Sequence, residues 1–539
     1  MQVPSNVAPD FSRLPKGVSS FTTLREENLI YVDKTEVIAK LARDERYVFL
    51  SRPRRFGKSL LVSTFESLFK YGLRDFKGLA IEKIWQDKTY PVVTLDFSLL
   101  KGRDNKPDFQ LAFESQLQEQ FASIGFSHDE KSGTLFMDQL TTFLRLQPCG
   151  PIVLLIDEYD APLTEQLNNP ALFEVIRKVM ADFFSRLKSA SGAFRFLFIT
   201  GITKYRQVSI FSTLNNLTDI SLDPEYGELV GYTKEEVEKY FPDYLENALT
   251  RLNSIQRRNQ QEQYSHQSLM NALISHYDGF CFDEEASTHV FAPWSVLNFL
   301  SSPQRGFKDY WFESGGVSTW LENWIAKHGA INPENFDTPT TVDISMLGAA
   351  STPSEIPVEV LLYQTGYLSI VGALDSSVDL DYPNEEVSGA MAKLFLTHIS
   401  TLDTGIIVRT KYVFMQENTE ELIKALNRLY LSIPYDSTPI HNEAAARAIV
   451  LVYAKGAGLV TLAECHNARG RSDLEILAGN IHWVFEFKYV NKDADAPEKL
   501  TEALEQIKKR QYGVESVAEK RIRIGLVYSA ESKQIVAYG

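Results

Sequence analysis

The chain has 539 residues and 44% hydrophobic content, room and core material for about three to four domains of ordinary size. A formal net charge of −15 argues against a nucleic-acid coat protein but is compatible with an enzyme carrying a local basic stripe beside an acidic metal site. Cys149, Cys281 and Cys465 are too far apart for a zinc cluster or a disulfide framework, no apolar stretch reaches membrane-span length, and Met1–Asn6 lacks a signal-peptide pattern; together these predict a cytoplasmic protein that neither spans nor crosses a membrane.

The first predicted strand is Tyr47-Val48-Phe49-Leu50. It runs into Arg52-Pro53-Arg54-Arg55-Phe56-Gly57-Lys58-Ser59, and Leu60-Leu61-Val62 opens a helix. In a strand–loop–helix of this kind, backbone N–H groups point at phosphate oxygens, a Lys reaches the β- and γ-phosphates, and a Ser or Thr hydroxyl coordinates Mg²⁺. Arg54, Arg55, Phe56, Gly57, Lys58, Ser59 and Leu60 are therefore the expected nucleotide-binding residues, with Ser59 a metal ligand. Arg52 stands where the first Gly of G-x-x-x-x-G-K-[ST] belongs, so the loop must turn without that residue's freedom. The competing reading of the loop alone is a basic corner with a solvated Arg pair.

Val92-Val93-Thr94-Leu95-Asp96-Phe97 reads as a further strand. Pro151 to Ile156 is an unbroken apolar run that ends in Asp157-Glu158-Tyr159-Asp160, and carboxylates at the end of a buried strand are costly unless they hold a cation or activate water. Asp157 is the expected Mg²⁺ ligand and Glu158 the residue that positions the attacking water. Phe194 to Ile199 is another strand, followed by Thr200-Gly201-Ile202-Thr203-Lys204, polar groups suited to sensing the γ-phosphate. Open α/β sheets bind ligands at this rim.

The Arg52–Ser59, Ile156–Asp160 and Thr200–Lys204 segments resemble those of the AAA-ATPase-like family, a bacterial group whose members often carry a nuclease-like C-terminus. The likeness extends to Leu14-Pro15-Lys16-Gly17, Tyr31-Val32-Asp33-Lys34-Thr35 and residues 211–220. The resemblance implies an R-P-R-R-F-G-K-S loop, which makes the missing first Gly a family trait.

From Thr233 the pattern turns helical, opening with Thr233-Lys234-Glu235-Glu236 in the form of a capping box. The polar stretch Ser254–Ser268 separates two helical segments and reads as a mobile connection or a solvated helix face, the solvated surface being favoured. Tyr277-Asp278-Gly279-Phe280 and Trp311-Phe312-Glu313-Ser314-Gly315 resemble the family's helical lid, their aromatics expected in the core. Gln364-Thr365-Gly366-Tyr367-Leu368 and Tyr382-Pro383-Asn384-Glu385 read as a small strand-and-turn region. The expected organisation is an ATPase-like domain over 1–232, a lid over 233–343, a connecting α/β region over 344–414 and a final α/β domain over 415–539.

In the last segment Glu443 opens a helix, Leu459–Glu464 is strand-like, and Gly470-Arg471-Ser472-Asp473-Leu474-Glu475-Ile476 leads through a hairpin at Ala478-Gly479-Asn480 to Trp483-Val484-Phe485-Glu486-Phe487-Lys488. Strand alternation puts Glu486 and Lys488 on one face, and an antiparallel neighbour ending in Asp473 brings a second carboxylate beside Glu486. Asp473 and Glu486, with Glu443, form a candidate Mg²⁺ site, and Lys488 is placed to orient water or the transition-state anion. The opposing reading is an exposed E-x-K charge pair. The ordered set looks like the PD-(D/E)xK nuclease superfamily, with an α/β restriction-endonuclease-like fold. That likeness gives Gln506 a supporting role and brings Lys508, Lys509 and Arg510 toward a nucleic-acid backbone.

The expected protein is a P-loop ATPase with a lid followed by a nuclease-like domain, using ATP and Mg²⁺, with Mn²⁺ as a substitute at the nuclease site. Nucleic acid, DNA ahead of RNA, is the expected partner, and Arg54 and Arg55 leave contact with a neighbouring subunit's nucleotide, hence a homo-oligomer, open. The alternatives are a nucleotide-switched nucleic-acid-binding protein and a protein-binding signalling ATPase, both with a non-cleaving C-terminal domain.

Overall fold

The computed structural model describes residues 11–204, 216–258, 262–315, 321, 333–348, 357–434, 439–463, 466–467, 470–510 and 520–539. They form two compact units, one of residues 1–314 with 340–384, the other of 315–339 with 385–539.

The first unit is built on a five-stranded parallel sheet of β1 (Tyr47–Ser51), β2 (Val92–Asp96), β3 (Ile152–Asp157), β4 (Phe194–Gly201) and β5 (Thr218–Asp219), in the order β2-β3-β4-β1-β5. β1 and β3 are buried along their whole length, which is why each reads as a continuous apolar run rather than an alternating one. This order seats β4 between β1 and β3, with Leu50 level with Thr200 and Ile156 level with Ile199. Three carboxyl ends with chemically loaded extensions are thus adjacent.

Helices Lys234–Tyr240, Pro242–Arg258, His266–Tyr277 and Pro293–Ser301 follow, sharing an apolar core that includes Leu245, Leu269, Leu273 and Val296. The capping box forms: Thr233 Oγ1 accepts from Glu236 N at 3.2 Å and Glu236 Oε2 accepts from Thr233 N at 2.9 Å. Much of the polar Ser254–Ser268 stretch is the end of one helix and the start of the next, with residues 259–261 outside the described set. Tyr277, Phe280 and Trp311 are buried. β6 (Phe280–Cys281) pairs with β7 (His289–Val290), and β8 (Thr340–Asp343), β9 (Ser369–Leu374) and β10 (Ser377–Asp381) form a three-stranded antiparallel sheet. One expectation needs correction. Gln364 and Thr365 end a helix, Val358–Thr365, rather than a strand, and Gly366 caps it at φ 89°.

The second unit carries a five-stranded mixed sheet of β11 (Val460–Ala463), β14 (Leu474–Ala478), β15 (Ile481–Val490), β16 (Lys520–Ser529) and β17 (Gln534–Tyr538), with a short separate hairpin of β12 (His466–Asn467) and β13 (Gly470–Arg471). Only β15 and β16 pair in parallel. The β14–β15 hairpin turns at Gly479, φ 60°. Trp483 on one face of β15 donates its Nε1–H to Phe414 O at 2.7 Å. On the other face Gly525, level with Glu486, lies under Ala503 of the helix Ala496–Arg510.

Two candidate active sites

At the carboxyl end of β1 the chain turns through Arg55 (φ 68°) and Gly57 (φ 93°) into the helix Lys58–Tyr71. Arg52, in place of the usual glycine, is 1% exposed. Its Nη1 donates to Ser51 O at 3.0 Å and Ser221 O at 2.8 Å, its Nη2 to Tyr226 O at 3.0 Å, and the guanidinium lies 4.5 Å from the Phe282 ring centroid. Burial lowers its pKa to about 10, leaving it charged at neutral pH.

Lys58 is buried, and its Nζ donates to Arg52 O and Pro53 O, both at 2.9 Å. Burial lowers the ammonium's pKa, while Asp157, Asp160 and Glu158 pull it back up. Asp157 mirrors this: burial raises its carboxyl above the ordinary value, against a hydrogen bond from the Ser59 hydroxyl and the nearby Lys58 charge. Lys58, Ser59 and Asp157 therefore meet in space although about a hundred residues of chain separate the loop from Asp157. Glu158, at φ 48°, lies 3.4 Å from Lys101 Nζ, a partner with no signature in the sequence.

Thr200 is fully buried, and its Oγ1 has no hydrogen-bond partner among the described residues. Just beyond it the ends of β3 and β4 are tied together. Asp160 accepts from Ile202 N, from Thr203 N at 2.7 Å and from Thr203 Oγ1 at 2.6 Å, and Tyr159 donates its hydroxyl to Thr203 O at 2.8 Å. A Cβ on Gly201 would overlap the Asp160 carboxylate and the Tyr159 ring, so this knot requires glycine there. Arg54 and Arg55 have exposed side chains; Arg55 lies 4.4 Å from the Trp294 ring centroid, and Trp311 Nε1 donates to Arg54 O at 3.0 Å. Phe56 packs edge-on against Phe280 and Phe282, leaving its backbone as the part available to a phosphate, and Leu60 is half-buried in the helix's first turn.

In the second unit Glu443 is the first residue of the helix Glu443–Gly456, capped by Asn442, whose Oδ1 accepts from Ala445 N at 2.7 Å. Lys488 Nζ lies 3.1 Å from Glu486 Oε1 and 3.7 Å from Glu443 Oε1, and donates to Phe487 O at 2.9 Å. Glu486 is 2% exposed, so the pair is not a surface E-x-K. Burial by itself would lower the Lys488 ammonium; Glu486 and Glu443 outweigh it and hold the pKa raised. Burial likewise raises Glu443, with Lys488 opposing and Asp473 adding to the shift. Asp473 lies one residue before the paired part of β14, where Leu474 is level with Phe485, and its Oδ2 accepts from Phe487 N at 2.7 Å.

The four expected residues are thus gathered, with the ammonium among the carboxylates. No group of three or more His, Cys, Asp or Glu side chains stands in a metal-holding arrangement among the described residues. The donor set of carboxylate oxygens is nonetheless the chemistry a hard divalent cation takes. Gln506 lies on the helix Ala496–Arg510, and its Oε1 is buried with no hydrogen-bond partner among the described residues. One turn earlier, a hydrogen bond from Lys499 Nζ holds the Glu502 carboxyl below its ordinary range, with the Lys488 ammonium adding a smaller pull in the same direction. Neither Glu502 nor the bracing of Ser472 was foreseen: Ser472 Oγ donates to Glu475 Oε1 at 2.7 Å, and Glu475 Oε2 lies 2.7 Å from His482 Nε2. The i, i+4 spacing of Glu502 and Gln506 is the signal that marks them as one helix face.

The fold and these two clusters define a protein that joins a P-loop-like module to a nuclease-like one. Residues 15–211 match the family model described as predicted AAA-ATPase, and residues 441–538 match that of the PD-(D/E)XK nuclease superfamily; the chain combines an AAA-ATPase-like module with a PD-(D/E)XK-superfamily module. It is also similar, at 28% identity over 542 residues covering 98% of each chain, to an uncharacterized protein in the vnfD 5' region of Azotobacter chroococcum mcd 1. No helix among the described residues is long and apolar enough to cross a membrane.

Proposed function

We propose that the protein is a cytoplasmic enzyme that binds and hydrolyses ATP at the β1 loop and cleaves nucleic acid, DNA in the first instance, in its C-terminal module, with nucleotide state gating cleavage. The observation that carries this reading is the gathering of two charged clusters from distant segments, Lys58–Ser59–Asp157 and Glu443–Asp473–Glu486–Lys488. In the first, Lys58 would take phosphate oxygens in place of its loop carbonyls, Ser59 and Asp157 would hold Mg²⁺, Glu158 would orient water and Thr200 would meet the γ-phosphate, with Arg54, Arg55 and the backbone of Phe56 to Leu60 lining the phosphates. In the second, Glu443, Asp473 and Glu486 would hold Mg²⁺ or Mn²⁺. Bound there, such a cation would supply charge stabilisation for the phosphodiester. Lys488 orients the attacking water, and Gln506 supports the site. The division at 232/233, 343/344 and 414/415 belongs to the same reading.

A second reading, a non-cleaving nucleic-acid-binding module switched by nucleotide, is favoured by the lack of an assembled three-ligand group among the described residues. One experiment separates the two. DNA and RNA are incubated with Mg²⁺ or Mn²⁺, with and without ATP, using the intact protein, Asp473→Ala and Lys58→Ala. The enzyme reading expects divalent-dependent cleavage that Asp473→Ala abolishes, and ATP binding that Lys58→Ala weakens; substrate retained but uncleaved by the parent supports the binding module.

A further inference from the structure

The helix end Gln364–Tyr367 lies far outside the matched segment 15–211, yet it touches both sides of the nucleotide site. Gln364 is 4% exposed. Its Oε1 accepts from Lys204 N at 3.0 Å, directly after the Asp160-tied Thr203, and its Nε2 donates to Leu347 O at 2.9 Å. Both ends of a buried amide are thus satisfied, which fixes the side chain's orientation. Two residues on, Gly366 has φ 89°, and a Cβ built there would stand 2.7 Å from Pro53 Cβ and 3.0 Å from Pro53 Cγ and from a Trp311 ring carbon. Pro53 supplies one of the two carbonyls that hold Lys58, and Trp311, which is edge-on to Tyr367 at 5.7 Å, also holds Arg54 O. Gly366 therefore has two separate reasons to be glycine: a left-handed backbone and a backbone-to-loop approach no side chain permits.

We propose that this helix end forms a third wall of the nucleotide site, in which Gly366 sets the position of the phosphate-binding loop through Pro53 and Gln364 sets the position of the β4 extension through the Lys204 amide. Both are positioning residues. They touch protein backbone and side chains, and act on ATP through Lys58 and through the segment that follows Thr200. The proposal rests on the ATP reading above and predicts a division of labour. Disturbing the loop changes ATP affinity, and disturbing the β4 extension changes turnover.

The test uses the full-length protein. Gly366→Ala is expected to raise the ATP Kd about tenfold, and Gln364→Leu to lower kcat about tenfold with KM held within about twofold, as small misplacements of catalytic groups do. Pro53→Gly removes both proline atoms that the new methyl meets. The left-handed backbone and the Trp311 contact remain in the double variant Pro53→Gly with Gly366→Ala, so it should lose affinity relative to Pro53→Gly alone, but by less than the tenfold that Gly366→Ala loses relative to the parent, a partial recovery that general destabilisation would not produce. Thermal unfolding identifies any variant that fails to fold; should Gly366→Ala do so, the Gln364→Leu split of kcat from KM decides. If the parent binds ATP in a Lys58-dependent way while the folded Gly366→Ala and Gln364→Leu proteins match it in Kd, KM and kcat, this inference falls and the ATP reading stands. If Lys58→Ala binds ATP as the parent does, both fall together.

Discussion

Thr200 keeps a hydroxyl in full burial with no hydrogen-bond partner among the described residues, a situation that costs about 1–3 kcal/mol. Val has nearly the same shape and no hydroxyl to leave unpaired. Thr200→Val is therefore expected to unfold at the parent's temperature or above it, and, if the hydroxyl is reserved for the γ-phosphate, to hydrolyse ATP about ten- to a hundredfold more slowly. Thermal unfolding and steady-state hydrolysis check the two halves, and parent-like turnover would remove Thr200 from the site. Side chains of this kind were partly legible in the sequence. Lys58, Ser59 and Asp157 announce themselves because their chemistry is written into contiguous motifs at strand ends. The role of Arg52 does not, because its acceptors are main-chain oxygens of Ser221 and Tyr226, and any residue can supply a carbonyl there.

Asp278 follows the last residue of the helix His266–Tyr277, where the carbonyl end of the helix already disfavours negative charge. Burial pushes its carboxyl up to about 6, with Glu235 adding to the shift and His289 and the Gly279 N–H opposing it. The ordinary value is about 3.9, so between about pH 4 and about pH 6 the folded state binds the extra proton. Stability should fall as pH rises through that window and stay reduced above it. Asp278→Asn is expected to raise the unfolding temperature above pH ~6, by an amount of order 2 kcal/mol in free energy, with the gain shrinking toward pH ~4. A gap between variant and parent that does not change with pH would contradict this. Among elements, β1 to β4 of the parallel sheet were readable from their apolar residues, and the β14–β15 hairpin from its Gly-Asn turn, whereas β5 was not, because Thr218-Asp219 is two polar residues with no apolar run. The helix Val358–Thr365 was not: eight residues, most of them buried, show no amphipathic period, and the Gln-Thr-Gly-Tyr end reads equally well as a turn.

Two proposed chemistries on one chain invite coupling, and linkage gives it a measurable form. If ATP alters the nuclease module's preference for its substrate, a non-cleavable nucleic acid must alter ATP affinity by the same factor. ATP titrations of the intact protein with and without such a ligand, beside cleavage rates with and without ATP, should differ from one another and lose the difference in Lys58→Ala. Superimposable curves together with ATP-indifferent cleavage would mean two independent enzymes that share only a polypeptide. Arg52 bears on how far that polypeptide can be divided. Two of its three carbonyl partners, Ser221 and Tyr226, lie beyond residue 211, where the family match stops. A fragment cut at that boundary would forfeit two charge-assisted hydrogen bonds, each worth about 1.5–3 kcal/mol, at the very residue that starts the phosphate loop. The smallest portable ATPase-like module is therefore longer than the segment 15–211 that matches the family model, and its natural end lies past Tyr226.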